Sequence, residues 1–224
     1  TIYKDYVVGG TGYLQNANEI GHGYIEKDPK ENDSKTNTWK FYAPNVHDFA
    51  WAADPDYIHD IKRTESGVDL HFFYKPTVNV EHWKKLQDDS VKLMEYFEES
   101  IGPYPWEQYS IIQGGDGGME YAMCTMITGE RPYPSLLGVT AHEMAHAWFQ
   151  HLLATNEAKH SWMDEGFTEY VTSLSENYVN DKDPEFPHKS SYDRYYLLAR
   201  SGFEQAKTCL LYTSDAADEG LGVD

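Results

Sequence analysis

The chain has 224 residues, of which 40% are hydrophobic and 25% charged, a composition typical of a globular protein of one or two domains. Acidic residues outnumber basic residues by 37 to 18, and the resulting net charge of -19 argues against a general role in binding nucleic acid or anionic membranes. No apolar run is long enough to span a bilayer, and two cysteines do not make a disulfide framework.

Residues 1–77 are predicted to be rich in β-structure, because short runs of aromatic and β-branched residues alternate there with turn-forming clusters. The predicted strands are residues 3–8, 39–43, 49–52 and 68–74. Four histidines in this part have no metal-ligand spacing, so we expect structural or surface roles for them. They are His22, His47, His59 and His71.

A helix is predicted at residues 81–100, because apolar residues recur there every three or four positions and form a core-facing stripe. Strands are predicted at 108–113 and 119–127, on either side of the glycine-rich segment 114–118. Small residues in this segment would let a substrate backbone approach closely, as an added strand on a sheet edge. A simple flexible turn is the alternative.

The pattern His-Glu-x-x-His follows, within an apolar helical periodicity. One helical turn separates His142 from His146, so both imidazoles lie on one face and can share one cation. A catalytic zinc ion takes three protein ligands and a water, and Glu165, which opens the next helical pattern, is the predicted third ligand. Glu143 points beside the metal, where it can take a proton from that water. The sequence therefore predicts a hydrolytic site with one Zn²⁺ ion.

Three further polar side chains lie near this pattern in the sequence. Glu169 follows Glu165 by one helical turn and can orient a ligand histidine through a hydrogen bond, with an ordinary surface role as the alternative. His151 and His160 are out of helical register with His142, so we expect neither to be a metal ligand.

Three motifs give the chain a resemblance to a known family. His-Glu-x-x-His, followed by eighteen residues and Glu, is similar to the zinc signature of the aminopeptidase N family of metallopeptidases. A Trp-Met-Asp-Glu-Gly-Phe run around the third ligand resembles the family's Trp-Leu-Asn-Glu-Gly-Phe segment. The upstream run resembles the family's Gly-x-Met-Glu-Asn exopeptidase motif, with a tyrosine in place of the asparagine. It consists of Gly117, Gly118, Met119, Glu120 and Tyr121.

The resemblance implies an α+β fold. Residues 1–77 would be the last part of an N-terminal β domain, and residues 78–208 an incomplete, thermolysin-like, mainly helical zinc domain. It also implies a Zn²⁺-dependent aminopeptidase that acts on peptides with a free N-terminus. Glu143 would carry a proton from water to the leaving amine. Glu120 would pair with the α-amine of the substrate, with residues 117–119 beside it in the substrate cleft.

Residues 209–224 differ from the rest of the chain in composition, with four acids and no basic residue. This string resembles a translated adaptor from short-read sequencing, so we expect a non-native tail on a truncated chain. A natural acidic tail is the alternative. The family's transition-state tyrosine is expected beyond the end of the chain, and we therefore expect this fragment to be weakly active or inactive. Compartment and oligomeric state are not indicated by the sequence.

Other functions are compatible with the same residues. A thermolysin-like endopeptidase would use the same zinc ligands but would not need Glu120. Relatives that hydrolyse epoxides share the zinc signature. A non-catalytic binding module on this scaffold is a third alternative, although such a module has no need to retain Glu143 and the three ligands.

Overall fold

The computed structural model of the chain describes residues 1–30, 33–77, 79–115, 117–182 and 184–202. The expected tail at residues 209–224 lies outside these ranges. The strands are β1 (Ile2–Tyr3), β2 (Val7–Gly10), β3 (Tyr13–Leu14), β4 (Thr36–Asn37), β5 (Phe41–Tyr42), β6 (Trp51–Asp54), β7 (Ile58–Arg63), β8 (Asp69–Tyr74), β9 (Gln108–Gly114), β10 (Gly118–Tyr121) and β11 (Cys124–Thr128). The α-helices are α1 (Ala17–Ile20), α2 (Val80–Ser100), α3 (Tyr133–His146), α4 (Glu157–Ser161), α5 (Phe167–Val179) and α6 (Lys189–Ser201).

A five-stranded mixed sheet forms the centre of the fold, with strand order β10-β11-β9-β8-β7. Strand β9 runs parallel to both of its neighbours, β8 and β11. The outer strands β7 and β10 are antiparallel to the strands beside them. Strand β10 is therefore an edge strand of this sheet, and the glycine-rich segment leads directly into it.

Successive residues of the central strands point to opposite faces of the sheet, as the pleat requires. Leu70, Phe72 and Tyr74 of β8 join the main core, in which α2, α3 and the helical face of the sheet meet. Phe73 and the β9 residue Ile112 instead pack in a smaller cluster on the other face, together with residues of the N-terminal strands. Helices therefore cover one face of the sheet and short N-terminal strands cover the other.

The central sheet crosses the boundary that was expected between residues 77 and 78. Strands β7 and β8 precede that boundary, yet β8 pairs along its length with β9. The β-forming residues at 68–74 predict a strand but do not indicate the sheet to which that strand belongs. The division into two domains at residues 77 and 78 stays a prediction.

Two of the predicted strands are each interrupted by a turn. The run at 119–127 is a hairpin of β10 and β11, because Met123 adopts a positive φ of 59° and reverses the chain. The run at 3–8 is divided between β1 and β2. The helix predicted at 81–100 is confirmed as α2.

Two π-helical segments lie between α3 and α5. The first, Ala147–Leu152, follows α3 directly, and the second, Trp162–Gly166, follows the short helix α4. Helices of this kind are rare and occur mostly at functional sites. The first segment continues α3, which carries His142 and His146, and the second contains Glu165 and leads into α5. Among the described residues, no helix combines the length and the apolar character needed to cross a bilayer.

Candidate metal centre

Helix α3 carries the His-Glu-x-x-His pattern into the interior of the protein. Pro134 lies in its first turn, where a missing backbone N–H costs no helical hydrogen bond. Every residue from Thr140 to His146 is buried. The Tyr109 hydroxyl of β9 donates a hydrogen bond of 3.2 Å to the backbone carbonyl of Glu143. The helix is thus held firmly against the sheet, and its polar side chains lie where water has little access.

Three donor atoms from two helical segments converge at this point. The Nε2 atoms of His142 and His146 are 3.2 Å apart. Glu165, from the second π-helical segment, places its Oε2 atom 3.3 Å from Nε2 of His142 and 3.7 Å from Nε2 of His146. The structure therefore brings the three predicted ligands together in one triangle.

The dimensions of this triangle fit a tetrahedral metal ion. With Zn–N and Zn–O bonds of about 2.0–2.1 Å, ligand atoms at the corners of a tetrahedron lie about 3.3–3.4 Å apart. The three observed separations lie close to this value. The donor set of two imidazoles and one carboxylate is one that catalytic zinc sites use, and it leaves a fourth position for water or substrate. These residues therefore fit a zinc ion.

Each histidine also has a carboxylate at its other ring nitrogen. Nδ1 of His146 lies 2.6 Å from Oδ1 of Asp164, which is almost fully buried. Nδ1 of His142 lies 3.4 Å from Oε2 of Glu169, and Glu169 forms an ion pair with Arg194 of α6. The hydrogen bond with Asp164 fixes the tautomer and the orientation of His146 and raises its basicity, whereas the contact of His142 with Glu169 is an ion-pair contact without hydrogen-bond geometry.

The carboxylates determine the protonation of the histidine pair. Burial on its own would lower the pKa of His142, but the contact with Glu165 and the charge of Glu143 outweigh it and raise that pKa above its usual value. Burial would likewise lower the pKa of His146, and the hydrogen bond with Asp164 reverses the direction. Burial raises the pKa of Glu120. The cluster is thus a buried site with excess negative charge, which favours a cation.

Glu143 and Glu120 lie beside the triangle rather than within it. Donor atoms of Glu120, Glu143 and His146 lie within 4.8 Å of one another. Strand β10 approaches α3 so closely that a Cβ atom on Gly118 would lie 2.5 Å from Oε1 of Glu143 and 2.9 Å from the Val139 side chain. Only glycine fits at this position, which gives one residue of the glycine-rich segment a definite packing role.

The other predicted site residues have different surroundings. Met119 is 42% exposed and alternates with the half-buried Glu120 along β10. His160 is exposed in α4, whereas His151 is buried in a second cluster that shares no residue with the triangle. Asp164 and Arg194 have contacts that were not predicted. In the sequence, the position of Asp164 next to Glu165 could have indicated that Asp164 lies near the ligand histidines. Nothing in the sequence links Arg194 to Glu169.

Comparison with known proteins gives this centre a family. The family described as "Peptidase family M1 domain" matches residues 86–199, which is just over half of the chain. A "Leukotriene A-4 hydrolase homolog" of Botryotinia fuckeliana is 34% identical over 96 residues, covering 39% of this chain and 14% of the relative. A "Leucine aminopeptidase 2" of Sclerotinia sclerotiorum is also 34% identical over 96 residues, covering 39% of this chain and 15% of the relative.

A solved structure from Deinococcus radiodurans has the same fold. It is a mutant M1 zinc metallopeptidase bound to a Tyr-Ser-Ala substrate, with a TM-score of 0.61 and 16% identity over 88% of this chain and 43% of that chain. The chain thus spans less than half the length of each of these three proteins. The α+β fold and the resemblance to aminopeptidase N metallopeptidases are confirmed, and the chain belongs to peptidase family M1.

Proposed function

We propose that the protein is a zinc aminopeptidase that removes single residues from the free N-terminus of peptides. The observation that carries this proposal is the position of Glu120. Its carboxylate and the donor atoms of Glu143 and His146 lie within 4.8 Å of one another, at the edge of the candidate zinc site. A negative group so close to the metal ligands limits which part of a substrate can lie between Glu120 and the metal site.

The distance restricts cleavage to the first peptide bond. In an amino acid, the α-nitrogen and the carbonyl carbon are joined by two bonds of about 1.5 Å each. A protonated amine that pairs with Glu120 therefore brings the carbonyl of the same residue to the metal ligands. An amide nitrogen inside a chain has no charge to offer, so its approach would leave the half-buried carboxylate unpaired.

His142, His146 and Glu165 would hold the zinc ion. When bound there, zinc polarises a carbonyl oxygen and lowers the pKa of a water molecule to about 7. Asp164 would keep His146 in the tautomer that leaves Nε2 free to bind, and Glu169 would do the same for His142. These two partners support the ligands without contacting the substrate.

Glu143 would transfer the proton. Its carboxylate takes a proton from the attacking water as the C–O bond forms, and delivers it to the amine nitrogen as the C–N bond breaks. Gly118 leaves room for this carboxylate beside β10. A buried position between helix and strand keeps competing water away from the general base.

Strand β10 would bind the substrate backbone. It is an edge strand of the central sheet, so its outer backbone groups can pair with an extended peptide. Glu120 and Met119 point to opposite sides of such a strand. A peptide paired there would have its first residue near Glu120, in line with exopeptidase cleavage. The peptide-bound relative from D. radiodurans supports a peptide as the substrate class.

The proposal is tested with the protein expressed from its complete gene. One short peptide is supplied with a free and with an acetylated N-terminus, each with and without a zinc chelator. We expect chelator-sensitive release of the first residue from the free peptide only. We expect Glu120→Gln to lower kcat/KM for the free peptide by roughly 30-fold, which corresponds to about 2 kcal/mol for a lost charge pair.

Glu130→Gln is the matched control, because Glu130 is exposed and lies outside the centre. It should leave kcat/KM unchanged. Equal internal cleavage of both peptides would contradict the role of Glu120 and identify an endopeptidase instead. Cleavage that persists after zinc has been removed would contradict the metal mechanism.

Epoxide hydrolysis is the second candidate activity, because one relative of 34% identity carries the name leukotriene A-4 hydrolase homolog. The relative named leucine aminopeptidase 2 matches at the same identity. The same enzyme preparation supplied with an alkyl epoxide distinguishes the two substrates. Diol formation that depends on zinc would add this activity to the peptidase reaction.

A further inference from the structure

A second cluster of potential metal ligands lies outside the candidate zinc centre. It consists of His47 and Asp48, which precede β6, and His151 of the first π-helical segment. One donor atom from each of these residues lies within 4.8 Å of the donor atoms of the other two. His151 is buried, Asp48 is half-buried and His47 is exposed. The cluster thus has a buried side and an entry path from solvent, and it shares no residue with the triangle of His142, His146 and Glu165.

The two histidines have the spacing of a ligand pair. Nε2 of His47 lies 3.2 Å from Nδ1 of His151, which is the same separation as between the two Nε2 atoms of His142 and His146. A tetrahedral zinc ion requires about 3.3 Å between neighbouring ligand atoms. The nitrogens therefore already lie at ligand distance. The two rings are inclined by 23°, with centroids 5.0 Å apart, so the exposed His47 ring has to turn for both lone pairs to meet at one ion.

A third electron-pair donor lies against the same nitrogen. Oε1 of Gln150 is 3.3 Å from Nε2 of His47, and the amide Nε2 of Gln150 is turned away to donate a hydrogen bond of 2.7 Å to Glu157. A hydrogen on Nε2 of His47 can point well at only one of two acceptors, the glutamine oxygen or Nδ1 of His151. The other acceptor is then left without this donor, and in the tautomer that lacks this hydrogen the lone pair of Nε2 faces the glutamine oxygen. A cation removes this conflict, because it accepts electron pairs from all of these atoms.

We propose that His47, Asp48 and His151 bind a second divalent transition-metal ion of the zinc class. Two imidazoles and a carboxylate are a donor set that zinc accepts, and the oxygen of Gln150 lies beside them. The bound ion would join two distant parts of the chain, the segment before β6 and the continuation of the helix that carries the catalytic ligands.

The proposed second site also contacts the turn that follows β10, the strand proposed to bind the substrate. Oδ1 of Asp48 accepts a hydrogen bond of 2.9 Å from the backbone N–H of Ala122, in the turn between β10 and β11. An ion held by Asp48 would therefore fix the turn that follows Glu120. Its role would be structural, because the cluster shares no ligand with the catalytic triangle. This inference does not depend on the proposed peptidase activity.

The test measures bound metal directly. The full chain is loaded with a small molar excess of ZnCl₂, passed through gel filtration and analysed by plasma mass spectrometry. We expect two zinc ions per chain in the unaltered protein and one in His47→Ala. His146→Ala should also retain one, and the double variant should retain none. His47 is exposed, so its removal should leave the fold intact, which circular dichroism checks.

His160→Ala is the matched control, since His160 is an exposed histidine outside both clusters, and it should keep two zinc ions. A Co²⁺ titration followed by visible absorption provides an independent readout. Two saturating steps should be seen in the unaltered protein, and one in His47→Ala. A His146→Ala variant that retains no zinc would overturn the proposal. A second ion that persists in His47→Ala would also overturn it.

Discussion

Two pairs of neighbouring histidines lie on opposite faces of the central sheet, and their chemistry differs although the distances between their ring nitrogens are similar. On the helical face, ring nitrogens of His142 and His146 are 3.2 Å apart. On the other face, Nε2 of His59 lies 2.9 Å from Nδ1 of His71. The distances between the ring nitrogens are thus similar, whereas the angle between the rings, 82° in the first pair and 18° in the second, and the neighbours differ.

The neighbours reverse the direction of the pKa shifts. Burial lowers the pKa of His59 to about 4 and that of His71 to about 3, because aromatic rings such as those of Tyr24 and Phe73 surround this pair. In the first pair, carboxylates raise the pKa values of both histidines above their usual value. Paired histidines alone therefore do not indicate a metal site, which also needs a carboxylate donor within reach of both rings.

The largest expected effect comes from removing the charge beside the first pair without altering a ligand. Glu143→Gln keeps the size of the side chain but cannot accept a proton. We expect kcat for peptide hydrolysis to fall by roughly 10²–10⁴-fold, the usual contribution of a general base. Zinc content, measured in the same preparation, should stay unchanged because the three ligands remain.

The matched control for this variant is Glu99→Gln, an exposed glutamate at the end of α2. It should retain full activity. If Glu143→Gln keeps most of its activity, Glu143 is not the general base. If the variant loses its zinc, the carboxylate contributes to binding the ion, and the distinction between ligands and neighbours fails.

A smaller effect is expected from replacing Asp164, whose carboxylate contacts Nδ1 of His146. Asp164→Asn retains an oxygen that can accept from Nδ1 but removes the negative charge. Removing partners of this kind costs roughly 10–100-fold in metal affinity, and for this conservative change we expect the Kd for zinc to rise about tenfold. Competition with a chromophoric chelator measures the change. Asp5→Asn, at an exposed position near the N-terminus, should leave the Kd unaltered, and an unchanged Kd in Asp164→Asn would refute the role of Asp164.

The sequence was informative where local spacing determines structure. The helix period predicted α2, and the His-Glu-x-x-His spacing brought His142 and His146 to one face of α3. The sequence was uninformative where distant segments meet. Nothing local links His47 to His151, which are 104 residues apart, and the pairing of β8 with β9 depends on α2 folding back over the sheet. Spacing in the sequence predicts which residues share a face of one helix or strand. The contacts of a side chain with another element depend on how the elements pack, which the sequence pattern does not show.

The smallest expected effect concerns the pair of His59 and His71, which has no carboxylate donor within reach of both rings among the described residues. It tests whether burial lowers the pKa of such a pair. His71 has a lower pKa in the folded protein than the usual 6.5, so between about pH 6.5 and pH 4 the unfolded state binds more protons than the folded state. The free energy of unfolding should therefore decrease as the pH falls through this window, by up to about 1.4 kcal/mol per pH unit for each such histidine. Replacing His71 by phenylalanine removes one titrating group, and the total decrease between pH 6.5 and pH 5 should become smaller by about 2 kcal/mol.

Urea unfolding at several pH values measures this slope, and His160→Phe, at an exposed position, should leave it unchanged. An unaltered slope in His71→Phe would mean that His71 is protonated in the folded state, so that burial among aromatic rings would not be enough to separate the two histidine pairs.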